Sequence, residues 1–217
     1  MKSILVIGIG RFGYHLIDQL SKAGDEILAV DSSEDRLEPV LGMVTSSLIG
    51  DATNEDFIKS LGVENFDVCF VAIGDDFQSS LETTSLLKEC GARYVVSRAS
   101  RSVHEKFLLR NGADAVVFPE KQLAEWAAIR WCSGRVIDYL DYPGDYSIFE
   151  IEVPKTWIGN NLVDLGIRSK LHLNVLSIRR DGEQILEFPA DFIFKQGDTV
   201  TIFGADDDIK KGLNINY

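Results

Sequence analysis

The sequence predicts an α/β protein, a doubly wound parallel sheet followed by a small α+β domain. Three observations carry this expectation. From residue 4 to about residue 118, short β-branched runs alternate with longer segments whose apolar residues recur at spacings of three and four, the pattern of repeated βα units. Gly8-Ile9-Gly10-Arg11-Phe12-Gly13 stands between the first such run and the first helical segment, which is the setting a G-x-G-x-x-G turn requires. Beyond residue 147 the composition shifts to strand runs and turn signals with one short helical piece.

Strands are expected at 4–7, 27–30, 44–49, 68–73, 94–97 and 115–118, most of them continuous apolar runs suited to strands covered on both faces. Helices are expected at 12–22, 34–41, 54–61, 78–90 and 103–111, four of them followed by Gly24, Gly62, Gly91 and Gly112 where a C-terminal cap belongs. After Pro119, the stretch 123–133 places apolar side chains around most of the helix cylinder, so it must be covered on most sides. Two covers are open: the two domains of this chain, or a neighbouring subunit. Residues 133–147, with Gly134, Pro143, Gly144 and closely spaced Asp and Tyr, read as a linker. The small domain offers strands at 148–153, 174–179 and 199–203, a helix at 162–165, a hairpin turn at Asp181-Gly182 and a further turn at Gln196-Gly197-Asp198. The expected division is therefore 1–134 for the nucleotide-binding domain with its connecting helix, 135–147 for the linker and 148–217 for the small domain. A unit that small is near the lower limit for independent stability and is expected to lean on a partner surface.

Composition narrows the function. Of 217 residues, 45% are hydrophobic, enough for a packed core. The formal charge of −12 argues against nucleic acid and anionic lipid as partners, although a local basic pocket is compatible with it. No apolar run approaches the roughly 18 residues that cross a bilayer, so direct membrane insertion is not expected. The N-terminal residues carry no export-signal pattern, and three widely separated cysteines suit reduced, buried thiols. A cytoplasmic protein is the expectation.

The glycine motif carries the chemistry. Gly8 permits the tight turn, Gly10 lets the backbone approach a pyrophosphate, and Gly13 allows the helix to pack closely on the strand, while the helix N-terminus presents free N–H groups to phosphates. Asp31 ends the second strand 18 residues after Gly13, where a carboxylate accepts hydrogen bonds from ribose hydroxyls and repels a 2′-phosphate. NADP is thereby disfavoured against NAD, ATP or ADP; an alternative role for Asp31 is a helix cap. Arg11 stands at the turn, able to reach phosphate oxygens or to lie in solvent. Asp51 follows the third strand and could accept from an adenine amine or cap the next helix. There is no Tyr followed four residues later by Lys, no P-loop, no second His after His104-Glu105, and His15, His104 and His172 have no catalytic partner in sequence. Binding without catalysis is favoured; the alternative is a small NAD-dependent oxidoreductase.

Gly8 to Gly13, Ala29-Val30-Asp31, Gly50-Asp51-Ala52-Thr53, Val71-Ala72-Ile73-Gly74, Gly112-Ala113-Asp114 and Pro119-Glu120-Lys121 occur in the order seen in RCK (regulator of potassium conductance) proteins. The chain most resembles the stand-alone Trk/Ktr-type regulatory subunits of bacterial potassium uptake, and its end resembles the family's small RCK-C domain. The resemblance implies Rossmann-like domains that bind an adenine nucleotide, ATP or ADP or alternatively NAD or NADH, and assemble as dimers and then an octameric ring. That ring would sit on the inner face of the membrane beneath a potassium-translocating subunit. On matching positions, Gly8, Gly10 and Gly13 would hold phosphates, Asp31 the ribose, and Asp51 with Ala52 the adenine side, with Phe12 and Ile73 inside the matched stretches. Arg11 would sense the terminal phosphate, Arg98 is a further phosphate candidate, and Glu120 would help bind a cation beside the phosphates between subunits. In some relatives the small domain takes cyclic di-AMP.

Overall fold

The computed structural model describes residues 1–213, so the last four residues of the expected small domain lie outside the described residues. The chain divides into two compact units, Met1–Lys121 and Gln122–Tyr217.

The first unit is a six-stranded parallel sheet in the order β3-β2-β1-β4-β5-β6, built from β1 (Ser3–Ile7), β2 (Glu26–Asp31), β3 (Ser46–Ile49), β4 (Val68–Val71), β5 (Val95–Arg98) and β6 (Ala115–Val117). The order reverses between β1 and β4, and a ligand crevice opens beyond the carboxyl ends of strands at such a reversal. The central strand β1 is apolar and buried from Ile4 to Ile7, as a strand covered on both faces must be. The edge strand β3 is not: Leu48 and Ile49 are exposed, because only one neighbour pairs with it. Strand β4 stops two residues short of the expected 73, and Ile73-Gly74 leave the sheet to line the crevice.

The helices are α1 (Arg11–Ala23), α2 (Glu34–Leu37), α3 (Glu55–Ser60), α4 (Phe77–Glu89) and α5 (Ser102–Arg110). The expected helix at 34–41 is α-helical only to Leu37 and tightens to a 3₁₀ turn at Glu38–Val40. Pro39 is the cause, since its ring removes an N–H and crowds the carbonyl four residues back. Each glycine expected to close a helix has a positive φ.

The second unit begins within α6 (Pro119–Cys132) and continues through β7 (Val136–Tyr142), β8 (Tyr146–Glu152), α7 (Leu162–Leu165), β9 (Asn174–Arg180), β10 (Glu183–Ile185), β11 (Thr199–Ala205) and α8 (Asp206–Leu213). Its antiparallel sheet runs β10-β9-β11-β8-β7. The expected linker is corrected here. Residues 136–142 form β7, paired with β8 from Val136↔Ile151 to Tyr142↔Tyr146, and the turn signals are true only of Pro143-Gly144-Asp145 between them. Tyr139 stacks on buried Phe149 at 5.3 Å, which gives this polar-looking segment its place in the sheet. At Asp181-Gly182 both φ values are positive, 53° and 85°, the geometry of the two-residue hairpin expected there. The core gathers Phe149, Phe194, Ile151, Ile178, Val200 and Ile202 around Trp157. Buried Asp198 binds Arg180 through Oδ1 at 2.8 Å and Oδ2 at 2.6 Å and accepts Lys195 N–H. Burial raises its pKa, but Arg180 and that N–H outweigh it and hold the carboxyl below the ordinary value.

The cysteines are unpaired, as expected of reduced thiols, but burial holds for Cys69 alone; Cys90 is half-buried and Cys132 exposed. Burial pushes the Cys69 thiol up to about 12, which leaves it unreactive.

Candidate functional site

A cavity of about 540 Å³ opens where the strand order reverses, lined by the glycine turn, the ends of β2 and β5, and the loops after β3 and β4. The turn is built by close approach. Gly8 has φ +91°, and a Cβ on Gly13 would lie 2.2 Å from the Gly8 carbonyl oxygen, so α1 can start this near β1 only with glycine at both positions. Gly10 stands at the N-cap of α1 with no side-chain cap, and the first turn carries no acidic residue. Free N–H groups and the positive end of a 13-residue helix therefore face the cavity mouth.

Asp31 is 4% exposed, and its carboxylate already serves the backbone: Oδ2 accepts Ile9 N–H at 2.7 Å and Oδ1 accepts Ser33 N–H at 2.9 Å. It is thus not the cap of α2, whose N-cap is Ser33; it fixes the glycine turn against the end of β2 while lining the cavity. Each of its oxygens keeps a lone pair for a further donor. Arg36, one turn into the following helix, lines the cavity with Nη1 3.7 Å from Asp31 Oδ2.

Asp51 and Ala52 line the cavity from the loop after β3, where Gly50 N–H donates to the Asp31 carbonyl at 3.0 Å. Asp51 accepts both the N–H and the hydroxyl of Thr53, and these bonds, the hydroxyl first, lower its pKa. The cap of α3 is Asn54, which accepts Phe57 N–H, so Asp51 is not needed there. Thr83 donates to the Ala52 carbonyl and pins this loop to α4. Ile73 and Gly74 form the floor beside Asp75, Asp76 and Ser79. Asp76 caps α4 by accepting the Ser79 N–H and hydroxyl, which lower its pKa in that order.

Arg98 reaches the cavity from the end of β5, with Phe12 under it at 5.8 Å and an ion pair to Glu120 in the first turn of α6. Of the eleven residues the sequence singled out, the structure brings Gly8, Gly10, Arg11, Asp31, Asp51, Ala52, Ile73 and Arg98 to the cavity wall. Gly13 and Phe12 act from behind it, and Glu120 touches it through Arg98. Among the described residues no group of three His, Cys, Asp or Glu could hold a metal ion. Sequence reasoning missed Arg36, Asp76 and Ser79. Their signal was positional: each sits within one turn of a helix start that follows a strand next to the reversal. His104 is buried against Phe77 at 4.8 Å, and burial, then Arg101, press its pKa down; neither it nor His15 nor His172 lines the cavity.

Family comparison agrees with this geometry. The TrkA-N domain model matches residues 4–119 and the TrkA-C domain model matches residues 147–215. The chain belongs to the TrkA-type potassium-uptake family. It is 38% identical over 210 residues to Ktr system potassium uptake protein C of Bacillus subtilis (strain 168), covering 97% of this chain and 95% of that one. It is 34% identical over 213 residues to Ktr system potassium uptake protein A of the same organism, covering 98% and 96%. In fold it is similar to a structure described as the GsuK channel bound to NAD, with TM-score 0.66 and 17% identity over 95% of this chain and 38% of that chain. A structure described as GsuK bound to ADP matches with TM-score 0.53 and 15% identity over 62% of this chain and 36% of that one. Among the described residues no helix is long and apolar enough to cross a membrane.

Proposed function

We propose that this TrkA-type chain is a regulatory subunit that binds an adenine nucleotide in its N-terminal unit and sets the activity of a Ktr- or Trk-type potassium-translocating membrane protein, without catalysing a reaction. The observation that carries the proposal is the cavity at the strand reversal, where one buried carboxylate, an uncapped helix N-terminus and the arginines Arg11, Arg36 and Arg98 converge. The helix end and arginines suit phosphates, and Asp31 suits a ribose bearing a free 2′-hydroxyl. Near-complete overlap with Ktr uptake proteins supports the transport role. Fold likeness to a channel described with NAD and with ADP supports a nucleotide as ligand.

Regulation by a ligand requires unequal affinity for two states, because equal binding shifts nothing. A terminal phosphate read by arginine supplies such a difference, of the order of 1 to 3 kcal/mol per contact. Assembly into a dimer and then a ring would repeat it in each subunit, placing the protein in the cytoplasm at the inner membrane face through its partner.

Titration calorimetry of the full chain with ATP, ADP and NAD tests the proposal. Micromolar or tighter binding of at least one of them is expected, with no hydride turnover when NADH and candidate carbonyl substrates are supplied. Absence of binding for all three overturns the nucleotide role, and steady turnover overturns the non-catalytic one.

A further inference from the structure

Arg36 stands apart from the other cations of the cavity. The glycine turn follows β1, Asp31 ends β2, and Gly50, Asp51 and Ala52 follow β3, and these strands are neighbours in the order β3-β2-β1. Arg36 belongs to α2, which carries the chain from β2 to β3. A nucleotide is itself a row of phosphate, sugar and base. With its phosphates at the start of α1 and its ribose on Asp31, its base falls beyond β2, toward the loop after β3. There the wall consists of Ser32, Arg36, Gly50, Asp51, Ala52 and Thr53. Among the described residues no aromatic side chain lines this cavity, and the least polar side chain in this part of it is the methyl of Ala52.

A base has two flat faces, and taking them out of water favours binding. Glycine, alanine and short polar groups back one face; the other needs a flat cover or stays wet. Arg36 is the one long planar side chain in this part of the wall. Its backbone is fixed by α2, where the next residue, Leu37, is buried, as is Val40 in the turn that follows, so the Arg36 side chain stands at the cavity lip, 59% exposed. Nη1 lies 3.7 Å from Asp31 Oδ2, longer than a hydrogen bond, which tethers the guanidinium beside the ribose carboxylate and leaves its plane uncommitted. A guanidinium stacks on a base through its flat face, whereas an ammonium is a point charge without a plane.

We propose that Arg36 lies flat over the nucleobase and serves as its cover, a binding residue for the base with the phosphates left to the start of α1, Arg11 and Arg98. This rests on the nucleotide reading of the cavity and names the part of the ligand that Arg36 touches. What Arg36 supplies in that role is shape. A flat side chain without charge therefore replaces it, and a cation without a plane does not. A role on a phosphate predicts the reverse.

Calorimetry of ADP and of inorganic pyrophosphate on the full chain and its Arg36→Ala, Arg36→Lys and Arg36→Phe variants tests this. Arg36→Ala and Arg36→Lys are expected to weaken ADP about fourfold, the worth of a stacked cation at a partly exposed site, while Arg36→Phe stays within about twofold of wild type. Pyrophosphate has no base, so its affinity should stay within about twofold of wild type in all three, which also shows that the glycine turn is intact. ADP affinity that Arg36→Lys keeps, or that Arg36→Phe loses as fully as Arg36→Ala, overturns the proposal, as does an Arg36→Ala variant that binds ADP like wild type. Pyrophosphate weakening in step with ADP also overturns it, by assigning Arg36 to the phosphates or to the support of Asp31. Wild-type chain that binds neither ADP nor ATP nor NAD overturns the nucleotide reading and this inference with it, whereas wild-type binding indifferent to Arg36 overturns this inference alone.

Discussion

At the scale of single residues, the proposed site is built from groups that also hold the fold. Asp31 shows this most directly, because both its oxygens accept backbone N–H groups, one from the glycine turn and one from the start of α2. If its task were the ribose alone, its loss would spare any ligand without a sugar. Because Oδ2 holds Ile9 N–H, the loss also loosens the turn whose amides would face phosphate. Asp31→Asn keeps the shape but exchanges one acceptor for a donor and removes the charge. A hydrogen bond to a charged group is worth about 1.5 to 3 kcal/mol, so nucleotide affinity should fall at least about tenfold. Inorganic pyrophosphate binding should weaken as well, and the thermal midpoint should drop by several degrees. Calorimetry with ADP and with pyrophosphate checks this; a variant that loses ADP yet keeps pyrophosphate unchanged would confine Asp31 to the sugar.

At the scale of elements, α6 shows what pattern can and cannot reveal. Its apolar girdle is plain in the sequence, but Trp126 and Trp131 have different fates. Trp126 is half-buried, donates Nε1–H to Asp138 Oδ1 at 2.9 Å, and lies 5.1 Å from the Arg130 guanidinium, so it ties the helix to β7 inside its own unit. Trp131 is 74% exposed, as is much of Leu123 at 64%. We therefore expect Trp131, not Trp126, to meet a second copy of the chain. Trp131→Glu should leave the thermal midpoint of dilute protein within about 1 °C, as surface changes usually do, while lowering the mass seen by light scattering. An undiminished assembly would show that this side chain has no subunit to cover. The strands of the first unit were legible because buried parallel strands are uninterrupted apolar runs, and the site was legible because the glycine turn needs fixed spacing. β7 was not, since Asp138 and Asp141 break the apolar run and the fact that Asp138 serves Trp126 is a tertiary matter. Arg36 and Asp76 escaped for a related reason: only the strand order brings the starts of α2 and α4 to one crevice.

For the molecule as a whole, charge sets a condition on the proposed ring. Each chain carries a formal charge of −12, and a bound nucleotide adds to it, so every association step brings like charges together. The exposed apolar side chains of α6 favour association and respond weakly to salt, whereas the repulsion is screened over a Debye length of about 30 Å at 0.01 M and about 8 Å at 0.15 M. Assembly should accordingly tighten with ionic strength. In sedimentation velocity, the concentration at half-assembly is expected to fall at least about threefold as choline chloride rises from about 0.01 to about 0.15 M, a range over which the screening length shrinks past the size of a subunit contact. Choline separates screening from any specific effect of potassium. Were assembly to loosen instead, attractive ion pairs between subunits would outweigh the net charge, and the basic side chains Arg101, Arg110 and Lys106 on and beside α5 would be the first places to seek them.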